Sequence, residues 1–174
     1  MRDVAGYDRP AVAGTLLLLA VAMVLGFVVL GTSAERLSRR GISTMAVGAM
    51  GMGLFMAVMV LIVSGSKSGA TFMWMMFGFF GTSGILPYAA LSQSFPLHLS
   101  GRVNTTLNLL VFLAAFAAQW GIGAIIGIWP TTQSGGYAPV GYQAAFGVLL
   151  AIQLLTIFWF WFASVLLKKS RAKE

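Results

Sequence analysis

Gly81-Thr82-Ser83-Gly84 spells the G-x-S-G arrangement in which a glycine-flanked serine can act as a nucleophile, and His98 is the chain's one histidine. A serine is activated only when a base lies within about 3 Å of its hydroxyl. Positions 83 and 98 are 15 residues apart in one continuous apolar stretch, about 22 Å along a straight helix. The pair cannot exchange a proton, and His98 reads instead as a polar residue at the end of that stretch. With four Asp and Glu and no Cys, the chain offers no paired carboxylates, thiolate metal site, disulfide or phosphate-cradling loop. The reading is a non-enzyme without metal or cofactor. What remains is hydrogen bonding by uncharged groups. Thr82, Ser83, Tyr88, Ser92 and Gln93 lie on one apolar stretch and Asn104, Thr105, Thr106, Asn108 and Gln119 on the next.

The elements that must position these groups are set by charge. After Arg9 the next ionised side chain is Glu35, and uncharged runs extend from Gly41 to Ser66, Ser68 to Gly101 and Val103 to Leu167. A helix rises 1.5 Å per residue, so roughly 20 apolar residues cross a hydrocarbon core of about 30 Å. With 59% hydrophobic and 9% charged residues and a mean hydropathy of +0.89, the chain is too apolar for a soluble domain, where about a quarter of residues are charged. Five spans follow, at 11–30, 42–63, 70–95, 103–128 and 142–167, with 1–10 an external segment and 168–174 a basic tail. Turn chemistry separates them: Ser64 through Gly69 form a polar hairpin, and Pro130 through Gly141 a longer loop with Gly135-Gly136 and Pro139. The fold class is all-α, a polytopic membrane protein.

The net charge of +7 is a topology signal, since no basic patch is interleaved with aromatics as nucleic-acid binding would require. Arg36, Arg39, Arg40, Arg102, Lys168, Lys169, Arg171 and Lys173 fall on one side, eight of the eleven basic residues, and Arg2, Arg9 and Lys67 on the other. The richer side is expected to be cytoplasmic, which places the N-terminus outside and the C-terminus inside a cell inner membrane. The first span, at 20 residues, exceeds the roughly 7–15 of a signal peptide and carries its basic cluster after the apolar run, so it is expected to remain in the membrane.

The loop Gly31-Thr32-Ser33-Ala34-Glu35-Arg36-Leu37-Ser38-Arg39-Arg40-Gly41 resembles the cytoplasmic loop motif of the major facilitator superfamily, roughly G-x-x-x-D-R-x-G-R-R. Gly31, Arg36, Arg39 and Arg40 match; Glu35 replaces the usual Asp and Ser38 the usual Gly. Leu91 through Pro96, Gly101 through Asn108 and Gln119 through Gly123 are similar to the tenth-to-eleventh helix region of bacterial members. The resemblance covers essentially the whole chain and identifies its five spans with helices eight to twelve of a twelve-helix fold. It implies that the third span lines a central cavity, that the first and fourth pack against the other half of a transporter, and that the second and fifth face lipid. It also implies that Glu35 and the loop arginines are a cytoplasmic latch, whose partner would lie in helices outside this chain.

Polar side chains in a bilayer turn toward the bundle or a wet cavity, so Thr82, Ser83, Tyr88, Ser92 and Gln93 are the expected cavity residues, and Asn104, Asn108 and Gln119 expected inter-helix groups. Pro87 removes one helix hydrogen bond below Gly78, Gly81 and Gly84 and predicts a hinge. Small residues four apart predict close helix packing at Ala22 and Gly26, at Ala49, Gly53 and Ala57, and at Gly123 and Gly127.

The functional expectation is alternating-access transport of a small solute by a larger assembly to which this chain contributes, the chain being a fragment inactive alone. Its expected partners are lipid, an unidentified solute, and the missing N-terminal helices as a separate chain or an oligomer, with no nucleic acid. The alternative is a small stand-alone membrane protein that binds partner helices and transports nothing.

Overall fold

The computed structural model describes residues 6–65, 69–132 and 135–171, with side chains to 160 and at 162. The basic residues Arg2, Lys67 and Lys173, and the side chains of Lys168, Lys169 and Arg171, lie outside it. Among the described residues the chain is all-helical: α1 (Arg9–Ser38), α2 (Thr44–Val63), α3 (Ala70–Gly81), a 3-10 turn (Thr82–Ile85), α4 (Leu86–Gln93), α5 (Leu97–Ile126) and α6 (Pro139–Arg171). Four of these, α1, α2, α5 and α6, are long and apolar enough to cross a membrane. Between α2 and α5, α3 and α4 are joined through the 3-10 turn into one broken helix over the stretch expected as the third span, here termed the third crossing.

Helix ends follow local chemistry. The Asp8 carboxylate accepts from Ala11 N at 2.9 Å and Pro10 occupies the first turn of α1, where its missing N–H costs nothing. Ser43 caps α2 by accepting from Ala46 N at 3.2 Å. Gly41, Gly65 and Gly69 turn the chain at φ of 85°, 74° and 70°, a region a Cβ penalises. At 30 residues, α1 is about 45 Å long, so the stretch read as a loop from Gly31 continues as helix to Ser38 and carries Glu35 and Arg36 past the apolar zone.

The helices meet where one backbone can approach another. On α1 the buried residues are Thr15, Ala22, Gly26 and Ala34; the helix packs mainly on α3, while Ala34 meets Val47 of α2 and Leu86 of α4. A Cβ on Gly26 would lie 2.5 Å from Phe79 O and 2.6 Å from Thr82 Oγ1; one on Gly78 would lie 3.0 Å from both Leu19 Cγ and Leu19 O. The two glycines thus make a reciprocal contact between α1 and the third crossing. The turn's other side is met by α2, where a Cβ on Gly51 would stand 2.5 Å from Ser83 Cβ and one on Gly48 3.3 Å from Leu86 Cβ.

The small residues expected to pack on α2 do not. Gly48 and Gly51 are buried with Val47, Met56, Val58, Met59 and Ile62, while Ala49, Gly53 and Ala57 are exposed. Spacing alone made both faces eligible, and α2 turned inward the face that joins glycine to bulky Met and Val. Gly123 likewise has open space beside it, and Gly127 meets only carbonyls of its own helix. Within this chain α2 is the most enclosed membrane helix, with 33% of its apolar window buried against 6% for α5.

Aromatic rings tie α2, α3 and α6 together: Phe55 to Phe77 at 4.8 Å, Trp74 to Phe77 at 5.6 Å and Trp74 to Phe146 at 6.3 Å between centroids. At the end of the bundle nearer the arginines, Ala34, Val47 and Leu86 form a small core covered by Leu37. At the other end the Tyr7 and Thr71 hydroxyls are 2.9 Å apart, fastening the start of α1 to α3.

Gly26→Leu and Gly51→Leu should each destabilise the bundle by about 1–3 kcal/mol, the usual cost of overpacking. Gly53→Leu and Gly123→Leu, in open space, should leave it unchanged or raise stability slightly through helix propensity. Thermal unfolding in detergent, followed by tryptophan fluorescence, checks the contrast; equal effects at all four positions would refute the packing described.

Candidate functional site

The third crossing breaks where the sequence combines glycine with proline. Pro87 has no N–H to give the carbonyl of Ser83, so the chain tightens: Leu86 N donates to Ser83 O in an i to i−3 bond, and the segment Thr82–Ile85 is 3-10. Short 3-10 segments within helices recur at hinges. The irregular backbone is held between α1 and α2, the kind of enclosure in which non-helical backbone survives at membrane depth.

Beside this break lies an open groove of about 740 Å³, bounded by Leu19, Met23 and Phe27 of α1, Phe55 of α2, the third crossing from Phe77 to Tyr88, and Asn108 and Val111 of α5. Its size is in the range of small-molecule sites. Three of its thirteen lining residues are polar, Thr82, Tyr88 and Asn108, and none is charged.

The five expected cavity residues part company. Thr82 and Tyr88 line the groove. Ser83 does not: it is 1% exposed, packed over Gly51, and its Oγ has no hydrogen-bond partner among the described residues. His98, by contrast, is exposed. Ser92 sits below the groove, its Oγ 2.8 Å from Tyr88 O and 2.7 Å from Asn104 Oδ1. One hydroxyl proton serves one acceptor at a time, and turning the Asn104 carboxamide so that its NH₂ donates to Ser92 satisfies both contacts. Gln93, the last residue of α4, is exposed outside the groove.

Of the expected inter-helix groups, Asn104 ties α5 to α4 through Ser92, Asn108 faces the groove and Gln119 is exposed on α5. Thr82 Oγ1 donates to Phe79 O at 2.7 Å, so its hydroxyl hydrogen is already engaged. Among the described residues, neither the Tyr88 hydroxyl nor the Asn108 carboxamide makes a hydrogen bond.

Reading for polarity overlooked the apolar walls. Leu19, Met23 and Phe27 recur every four residues on α1, beside the Ala22 and Gly26 stripe, and that adjacency was the available signal. In the basic stretch, Arg39 Nη2 donates to Glu35 Oε1 at 2.8 Å across one helical turn, with the side chains 78% and 67% exposed. Such a pair contributes a few tenths of a kcal/mol. Arg36, Arg40 and Arg102 are exposed, and a Cβ on Gly31 would meet open space.

Comparison with known proteins agrees with this architecture. The family model described as sugar (and other) transporter matches residues 1–170. No curated protein and no solved structure matches the chain. The matched family is one of transporters, not a class of enzymes. Four long apolar helices, a broken crossing beside an uncharged groove, and a family match over nearly its whole length make the chain a multi-pass membrane protein of the major facilitator type, belonging to the sugar (and other) transporter family.

Proposed function

We propose that the chain supplies helices eight to twelve of an alternating-access transporter, with α1, the third crossing and α5 forming one wall of the solute path. The observation that carries this reading is the groove itself, which opens beside a helix broken at Pro87 and receives Tyr88 and Asn108. Alternating access rocks one set of helices against another around a site between them, commonly at discontinuous helices. The open side of the groove is where such a second set would stand.

The state of α5 supports a partner for this wall. Ile126 is its one buried residue, and Asn108 and Gln119 are exposed along it. Each polar residue left facing lipid forgoes about 1 kcal/mol that an inter-helix hydrogen bond would recover. The exposed guanidinium groups of Arg36 and Arg40 are free to meet acidic groups at the cytoplasmic face, the latch role, with Glu35 and Arg39 already paired. The outward small residues Ala49, Gly53 and Ala57 of α2 favour a second reading, a non-transporting assembly protein that uses this face for a partner helix.

The transport reading requires the positive-inside orientation. In the cysteine-free chain, Ser64→Cys should react with an impermeant maleimide from outside intact cells and Arg40→Cys only after the cytoplasmic face is opened; the reverse pattern would remove the basis for the helix numbering.

Reconstituted alone, the chain should give no saturable uptake from a panel of labelled neutral solutes. Co-reconstitution with a chain carrying the complementary helices should produce saturable uptake, and Tyr88→Phe or Asn108→Ala should reduce it several-fold. Saturable flux from the chain alone would show that its five crossings suffice. No flux with any complement, together with a stable complex through α2, would favour the assembly reading.

A further inference from the structure

We infer that the solute taken by this groove is an uncharged, mainly apolar molecule with a ring-shaped body and one or two hydrogen-bonding groups, in preference to a sugar. The inference rests on the groove being the solute site proposed above. Its wall presents the rings of Phe27, Phe55 and Phe77 and no ionised group, so nothing there rewards a charged ligand for losing its water.

Hydrogen bonding sets the finer limit. With the Thr82 hydroxyl hydrogen held by Phe79 O, Thr82 can only accept, and the lining side chains left to donate to a ligand are the Tyr88 hydroxyl and the Asn108 carboxamide. A hexose carries a hydroxyl on nearly every carbon, and each one buried against this wall without a partner would weaken binding roughly tenfold. A phenol-like solute meets both conditions, stacking its ring on the aromatics and pairing its polar group with Tyr88 or Asn108. A lipid acyl chain would fill the same volume but leave both groups unpaired.

The test uses the full chain in lipid nanodiscs with two fluorinated probes, para-fluorophenol and a monofluorinated glucose, read by fluorine NMR against protein-free nanodiscs. The phenol should broaden saturably and be displaced by unlabelled phenol, while the fluorosugar should stay sharp. Gly84 lines the groove and has open space at its Cβ position, so Gly84→Phe should fill the cavity and abolish the saturable signal. Asn108→Leu, on an exposed helix face, should weaken binding about fivefold, the loss of one hydrogen bond; it keeps the inference testable if Gly84→Phe does not fold. Saturable sugar binding that Gly84→Phe removes would overturn the solute class and leave the transport site standing. A phenol signal that does not saturate, or that survives both substitutions, would overturn the groove as a solute site.

Discussion

The architecture depends on how closely α1 and α2 can approach the backbone of the third crossing. In a bilayer, lipid tails are as apolar as leucine, so helices gain little from hiding hydrophobic surface and associate mainly through van der Waals fit and a few hydrogen bonds. Gly26 over Phe79 and Thr82, Gly78 over Leu19, and Gly51 over Ser83 leave no room for a Cβ. These contacts place α1 and α2 on two sides of the same short stretch, residues 78–83, and the other helices are arranged around that unit. Gly65 near Gln143 and Gly141 over Ile126 are similar small-residue contacts at the end of the bundle where α6 begins.

That closeness also makes the break possible. A 3-10 turn within a membrane helix strains hydrogen bonds that lipid cannot replace, so it persists where neighbouring helices enclose it. Thr82 satisfies itself on Phe79 O, while Ser83, 1% exposed and without a partner among the described residues, marks the least comfortable point of the turn. A small change in the position of α2 would give that hydroxyl a different neighbour. The break is thus held by packing, with a hydroxyl at its centre that is unpartnered among the described residues.

Much of the fold was legible in the sequence because its cause is one-dimensional. Charge-free runs of membrane length and turn residues between them do not depend on which helix touches which. Facing is a different matter. Ala49, Gly53 and Ala57 and the stripe through Gly48 and Gly51 are equally plausible packing surfaces on α2, and only the shape of the 3-10 turn and the start of α4 chooses between them. The break beside Pro87 was legible since proline acts on its own backbone, whereas the fate of Thr82 and Ser83 was not, since serine and threonine can spend their polarity on a local carbonyl or bury it against a glycine. The apolar groove walls were hidden for a related reason: in a chain this apolar, another Phe or Met stands out only once its neighbours in space are known.

The same chemistry bounds what this wall can contribute to a transport cycle. No Asp, Glu, Lys, Arg or His lies between Arg102 and Lys168, and none between Ser68 and Pro96, so the third crossing through Pro96 and the membrane part of α5 cannot hold a driving proton on a side chain of their own. A proton-coupled cycle would have to place its titrating group on another element. Under the proposed role, the work left to this wall would be mechanical and steric: bending at the 3-10 turn, an aromatic face to accept a shape, and hydrogen-bonding groups to orient it. Movement of α4 about the turn would shift Tyr88 relative to Phe77 and Phe55, and would carry Ser92 with its partner Asn104 on α5. The groove and the end of the bundle nearer the arginines are therefore joined by one short helix, which gives bending at the break a direct mechanical route to the end where α4 passes into α5.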